Sequence, residues 1–384
     1  MTSIKKIACV GAGFTGSVIA NVLASSKRYH VDVFDGRDHI GGNCHTARDP
    51  ETGVMLHVYG PHLFHTNNQN VWDYVTGFSH FERYEHKVRA TTSSGVFSMP
   101  INLLTINQLF DKRLSPAEAE VFISALGIKN SKPENFEEQA LSMLGPKIYE
   151  TFFKHYTEKH WGIAATQLPA SIFQRLPIRF NYNDNYFNDR YQGLPVDGYT
   201  SLMQKMLDLP NIKLFLGKSI KRSDLKDYDH IFYSGTIDGW FDFKFGDLAY
   251  RTLDFELFRC DGDFQGASVM NYCEKEVPYT RITEFKHFTH WETHQRSSCY
   301  REFSRHATRK DIPYYPVRLS SDKSHLQKYV EEATRETMPV TFAGRLGTYR
   351  YLDMHMCIAE SLDLAQRFMN SHEPSGIRFS SEPI

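Results

Sequence analysis

The chain has 384 residues, a formal net charge of −1, and hydrophobic and aromatic contents of 41% and 14%, so it can bury a large core and is long enough for two or three domains. Without a net field or a basic block it lacks the electrostatic footprint of a nucleic-acid binder. No run approaches the ~18 apolar residues of a membrane helix, so no transmembrane segment is expected, although a peripheral membrane face stays open. Cys9, Cys44, Cys260, Cys273, Cys299 and Cys357 are scattered without C-x-x-C spacing, which predicts reduced thiols in a cytoplasmic protein rather than a disulfide framework or a zinc ribbon.

Ile7 to Val10 reads as a buried parallel strand, and Ser17 to Ala24, with Val18, Ile19, Val22 and Leu23 on one face, reads as a helix. Between them Gly11-Ala12-Gly13-Phe14-Thr15-Gly16 forms a G-x-G-x-x-G turn. Its first glycine permits the tight turn, the second lets backbone approach a pyrophosphate, and the third allows close helix-strand packing. The N–H groups at the helix start then face the phosphates. Val31 to Phe34 is the next strand and ends at Asp35, near the roughly 20-residue offset of a ribose-binding acid. Lys5, Lys6 and the apolar stretch also suggest a signal peptide, but the glycine breaks and the second strand argue against it. A second glycine-rich turn, from Gly36 to Asn43, brings Arg37, Gly42 and Asn43 near the same phosphates.

Residues 115 to 162 turn helical. Ser115-Pro116-Ala117-Glu118 is a capping box with proline at the first helical position, stopped by Gly127. Asn135, Glu138 and Gly145 repeat the pattern, and a third helix runs from Pro146 to near Gly162. Its Ile148, Phe152, Phe153, Tyr156 and His160 lie at the spacing of a packing face. Thr252 to Phe258, Ala267 to Cys273, Tyr279 to Phe288 and Ser298 to Ser304 alternate as strands of an antiparallel sheet. Val340 to Ala343 is a buried strand, followed by Gly344-Arg345 and a helix from Asp353 to Met369 that should return to the first domain. His287, His290 and His294 lack a metal-binding pattern, and His57, His62 and His65 are expected to serve as hydrogen-bonding groups, so no metal is expected.

The two glycine turns, Tyr59-Gly60-Pro61-His62, Tyr156-Thr157-x-Lys159-x-Trp161-Gly162, Arg175-Leu176-Pro177-x-Arg179-Phe180-Asn181-Tyr182, Asp184-Asn185-Tyr186-Phe187, Tyr279 to Glu284, Ile312 to Pro316 and Gly344 to Met354 together resemble the bacterial UDP-galactopyranose mutase family over nearly the whole chain. The resemblance implies an α/β fold: a discontinuous Rossmann-type FAD-binding domain with an inserted helical domain and an antiparallel sheet domain. Residues 1–80, 205–240 and 320–384 would form the first, 104–170 the second, and 81–103, 171–204 and 241–319 the third, with a mobile loop near 181–192. It also implies a cytoplasmic homodimer of cell-wall or lipopolysaccharide synthesis that interconverts UDP-galactopyranose and UDP-galactofuranose. Reduced FAD would attack the anomeric carbon through N5 with no net redox change, the electrons coming from an external reductant such as NAD(P)H.

Residue by residue, the resemblance places Arg175 and Arg281 as diphosphate cations and Tyr186, Tyr315 and Tyr351 as phosphate donors. A forked, permanently charged guanidinium suits a departing diphosphate. Phe152, Tyr156, Trp161 and Asn271 would meet the nucleotide. His62, Arg345, Tyr351, Asp353 and Met354 would lie by the flavin, together with Gly344. Catalytic roles would fall to Arg175, Arg281, His62, Tyr351 and Asp353, although Asp353 could instead cap the helix it begins. Glu302 is a further candidate near the site. Two other readings share parts of this pattern: an amine-oxidase-type flavin oxidase and a nucleotide-sensing module without turnover.

Overall fold

A computed structural model describes residues 4–130, 132–173, 178–317, 320–371, 376 and 378–381. The strand Lys5–Val10 is central because both of its faces are apolar: Ile7 and Cys9 enter one core cluster and Ala8 enters another, all fully buried. It lies in a five-stranded parallel sheet, ordered Ile212–Phe215, Tyr29–Phe34, Lys5–Val10, His230–Tyr233 and Val340–Phe342. Strands from distant parts of the sequence therefore converge there. The helices Phe14–Ser25 and Met354–Asn370 pack on one side, burying Val18, Ile19, Leu23, Ile358 and Leu364 in a single cluster.

The second sheet has seven strands, ordered Tyr315–Pro316, Tyr250–Asp261, Arg296–His306, Arg281–Glu284, Val269–Tyr272, Val88–Thr92 and Gly95–Met99. Pairing is antiparallel except between Val269–Tyr272 and Val88–Thr92, which run parallel. The strand expected from Tyr279 to Phe288 is shorter, ending at Glu284 in a 3-10 turn over Phe285–Phe288. Phe285 and Phe288 are both fully buried, and a 3-10 turn brings i and i+3 to one side, whereas strand alternation would separate them.

The helices form where their caps lie. Ser115 and Glu118 make both halves of the capping box on Pro116–Leu126, and the Asn135 side chain accepts from the Glu138 N–H. Gly145, at φ 75°, breaks the helical path just before Pro146. The third helix contains a π-helical turn, Tyr149–Phe153, before continuing as Lys154–Trp161 and ending at left-handed Gly162. Phe136, Ala140, Leu144, Ile148, Phe152 and Phe173 pack as the core of this helical region.

Candidate functional site

The first cavity, of about 410 Å3, opens where Lys5–Val10 ends. Gly11 holds φ 108°, and Gly13 precedes the helix Phe14–Ser25 with no side chain over its N–H groups. A Cβ on Gly42 would lie 3.0 Å from the Cα of Gly13, so the two glycine turns meet with bare backbone on both sides. Gly16 does not line the cavity; a Cβ there would sit 1.9 Å from the Gly11 carbonyl oxygen, so it is the close-packing glycine.

Phe14, Asp35, Gly36, Arg37, Gly42 and Asn43 line this cavity with Gly11 and Gly13. Asp35 is held in place by N–H donors from Ala12 (2.8 Å) and Arg37 (2.9 Å). Arg37 donates through Nη2 to Asn43 Oδ1 at 2.7 Å, while its buried Nη1 has no partner. An unsatisfied guanidinium N–H beside a bare-backbone helix start suits a dinucleotide pyrophosphate. Gly344, Arg345, Met354 and His62 close the other side.

Lys218, Ser219, Tyr233 and Ser234 share the same lining, although no sequence motif marks them. Lys218 follows the strand Ile212–Phe215, and Tyr233 ends its own strand. Ligands of open parallel sheets bind at such strand ends, so the strand pattern was the available signal.

His62 Nδ1 lies 2.7 Å from the Gly60 carbonyl, which can only accept, so the proton resides on Nδ1 and Nε2 is an acceptor. Burial, with nearby Arg345 and Arg281, lowers its pKa to about 4 despite the Gly60 bond, so the ring is neutral near pH 7. His57 and His65 also act as hydrogen-bonding groups. His57 accepts from the His62 N–H at 3.0 Å, and His65 Nδ1 meets Asp189 at 2.7 Å.

The second cavity, of about 630 Å3, is lined by Phe152, Tyr156, Trp161, Tyr186, Asn271 and Asp353. Asp353 occupies the position before the helix Met354–Asn370 but makes no capping hydrogen bond, leaving its carboxylate to the cavity. His160, placed on a packing face by its spacing, also lines the cavity, and its buried Nδ1 has no partner. Phe152, Tyr156 and His160, four residues apart, share one face of the helix, and it is this face that reaches the cavity.

Arg281, Tyr315 and Tyr351 line neither cavity but adjoin both sets of residues. Arg281 Nε donates to Glu302 at 2.8 Å, and Glu302 is 1% exposed. Burial opposes the Arg281 charge, but the Glu302 carboxylate and the neighbouring Tyr156 and Tyr315 hydroxyls raise its pKa further. Tyr315 and Tyr351 stack at 5.5 Å, each ring 5.3 Å from the Arg345 guanidinium. Arg345 donates to the Leu352 and Tyr314 carbonyls, so it braces the main chain beside both tyrosines. Arg175 lies outside the described residues.

The loop 181–192 is tied at three points. Arg179 donates to the Asn183 and Asn185 carbonyls and to Asn188 Oδ1, Asp184 pairs with Lys87 and Arg89, and Asp189 meets His65.

Residues 151–351 match the family model described as UDP-galactopyranose mutase, and residues 9–78 match the NAD(P)-binding Rossmann-like domain. The chain is 52% identical over 368 residues to a probable UDP-galactopyranose mutase of Klebsiella pneumoniae, covering 96% of this chain and 95% of that one. It is 47% identical over 378 residues to a dTDP-fucopyranose mutase of Escherichia coli, covering 96% and 100%. A crystal structure of reduced UDP-galactopyranose mutase superposes with TM-score 0.73 at 16% identity, covering 97% and 96%, and a putative protoporphyrinogen oxidase from Exiguobacterium sp. superposes with TM-score 0.65 at 12% identity, covering 96% and 99%. At these identities the superpositions speak to the fold alone.

Proposed function

We propose, because the chain belongs to the UDP-galactopyranose mutase family of isomerases, that it interconverts UDP-galactopyranose and UDP-galactofuranose with a bound FAD. The observation that carries this reading is the adjacency of the two cavities: the bare-backbone dinucleotide cradle, and the aromatic cavity with Arg281 beside it. In this reading residues 1–80, 205–240 and 320–384 hold the cofactor, and an external reductant such as NAD(P)H activates it. Reduced FAD, when bound, supplies N5 as a nucleophile toward the anomeric carbon, with no net redox change.

The chain's own residues do the rest. The turns at Gly11–Gly13 and Gly42 and the Arg37 Nη1 donor hold the cofactor pyrophosphate, and Asp35 accepts from a ribose. Tyr156 and Trp161 offer faces to the uracil and Asn271 its amide, a stacked base being worth roughly 1–3 kcal/mol. Arg281, with Arg175 assigned by motif, meets the charge that grows on the diphosphate as the glycosidic bond breaks. Tyr186, Tyr315 and Tyr351 add hydroxyl donors. Neutral His62 offers an acceptor at Nε2, and Asp353 a carboxylate, near the reacting carbon.

The test is conversion of UDP-galactofuranose by dithionite-reduced, flavin-loaded enzyme, run beside dTDP-fucose because one relative carries that name. UDP-galactopyranose should form, and oxidised enzyme should be nearly inactive. No conversion by fully reduced enzyme defeats the reading. Substrate-dependent oxygen consumption would indicate the flavin oxidase, and UDP binding without flavin absorbance a nucleotide sensor.

A further inference from the structure

Lys159, in the Tyr156 to Gly162 motif, has no part in the chemistry above, yet its surroundings are unusual. Its Nζ lies 2.7, 2.8, 2.9 and 3.1 Å from the main-chain oxygens of Tyr272, Glu274, Val277 and Tyr279. Among the described residues no carboxylate forms an ion pair with it. An ammonium has three donors, so four converging carbonyls share it, much as oxygen ligands surround a hard cation.

The four carbonyls belong to the tip of one hairpin. Its strands are Val269–Tyr272 and Arg281–Glu284, and Asn271 stands directly opposite Arg281 in the register. The tip makes few other main-chain bonds: Tyr272 N–H to the Thr280 carbonyl at 2.9 Å, and Cys273 N–H to Thr91 at 3.2 Å. Lys159 itself rides on the helix Lys154–Trp161, whose Tyr156 and Trp161 line the second cavity. Burial lowers the Lys159 pKa to about 8, opposed by the Glu274 and Glu276 carboxylates of this same tip, so the ammonium form still predominates near pH 7.

We infer that Lys159 is a positioning residue of the nucleotide subsite: its ammonium is a built-in cation in a four-carbonyl cage that fixes the hairpin bearing Asn271 and Arg281 against the helix bearing Tyr156 and Trp161. The inference rests on reading the second cavity as the nucleotide subsite. Without the cation, four carbonyl dipoles converge on each other with no donor, and the tip opens to hydrate them.

The test uses flavin-loaded enzyme, the variants Lys159→Ala and Lys159→Met, and two measurements: the dissociation constant of UDP and hydrogen exchange of residues 272–280. Both variants should bind UDP about tenfold more weakly, the loss expected for one charge-assisted hydrogen bond, and should exchange faster at the tip. Methylammonium chloride should restore both measurements in Lys159→Ala, which leaves room for it, and not in Lys159→Met, whose longer side chain occupies the space the lysine stem held. Tetramethylammonium at equal ionic strength, too large for the cage, should restore neither.

Unchanged affinity and exchange in both variants overturn the inference, as do losses in Lys159→Ala that methylammonium leaves untouched. If a variant is not recovered folded, recovery of Lys159→Ala only when methylammonium is present supports the cage, and failure in both conditions overturns it. Failure of the functional reading would look different. Wild-type enzyme would then not bind UDP, while exchange at 272–280 would still follow Lys159 and methylammonium.

Discussion

Among single residues, Arg281 carries the largest expected effect. Its guanidinium is held by Glu302 on one side and lies near Tyr156 and Tyr315 on the other, in surroundings that exclude most water. A charge fixed in such a place stabilises a departing diphosphate without reorganisation, and removing one such group costs on the order of 3 kcal/mol. Arg281→Ala should therefore lower kcat about a hundredfold or more while flavin content stays at the wild-type level. Arg281→Lys should recover little, because a point charge cannot span Glu302 and a phosphate as a planar fork does. Single-turnover kinetics on reduced enzyme check this, and a loss confined to KM would place Arg281 in ground-state binding only. The residue's type and motif were legible in the sequence. Its pairing with Glu302 was not, because the two meet only through the register that sets Arg281 opposite Glu302 on adjacent strands.

At the scale of elements, the strand-turn-helix at the start of the chain shows what local chemistry can specify. Each glycine of Gly11-Ala12-Gly13-Phe14-Thr15-Gly16 has a separate physical reason, and the third is the most demanding. A Cβ on Gly16 would sit 1.9 Å from the Gly11 carbonyl oxygen, against backbone rather than a flexible side chain. Gly16→Ala must push the helix Phe14–Ser25 off the strand end and spoil the cradle at Gly13. The expected outcome is protein with little or no flavin absorbance after purification, measured as the ratio of visible to ultraviolet absorbance. A flavin-loaded Gly16→Ala enzyme would show that the turn has slack the packing denies.

Capped helices such as Pro116–Leu126 were equally legible, since Ser115 and Glu118 are neighbours in sequence. The π-helical turn Tyr149–Phe153 and the 3-10 turn Phe285–Phe288 were not. They arise where tertiary burial of aromatics overrides the local period, and no residue pattern announces that. The Lys159 cage lies further still from what a sequence reveals, because its four ligands are main-chain oxygens, which every residue has.

At the scale of the whole molecule, the parallel pairing of Val269–Tyr272 with Val88–Thr92 joins segments some 180 positions apart and was hidden for the same reason as the ion pairs: nothing local encodes it. A consequence visible only at this scale is the sensitivity of the fold to acid. His57, His86 and His230 are 5%, 5% and 2% exposed, and burial lowers each pKa from 6.5 to about 3. His62 joins them at about 4. In the unfolded chain these rings take up protons near pH 6.5, whereas in the folded protein they cannot until pH 3 to 4. The unfolded state therefore binds more protons throughout that window, and stability falls as pH drops from 6.5 toward 3.

For a fully buried ring the loss at pH 5 is up to about 2 kcal/mol, so three of them lower the melting temperature on the order of 10 °C between pH 7 and pH 5. Carboxylates do not account for a fall in that range. Asp49 and Glu284, for which burial is outweighed by Arg259 and Ser298 in one case and by His287 and main-chain N–H donors in the other, are held at about 2 and lose their contribution only below pH 4.5. Melting temperatures of the flavin-loaded protein from pH 8 to pH 5 should be flat down to about 6.5 and fall below it. His80→Gln, altering a side chain that is 72% exposed, should leave the curve unchanged, and a level melting temperature down to pH 5 would mean that the buried rings accept protons without unfolding the sheets around them.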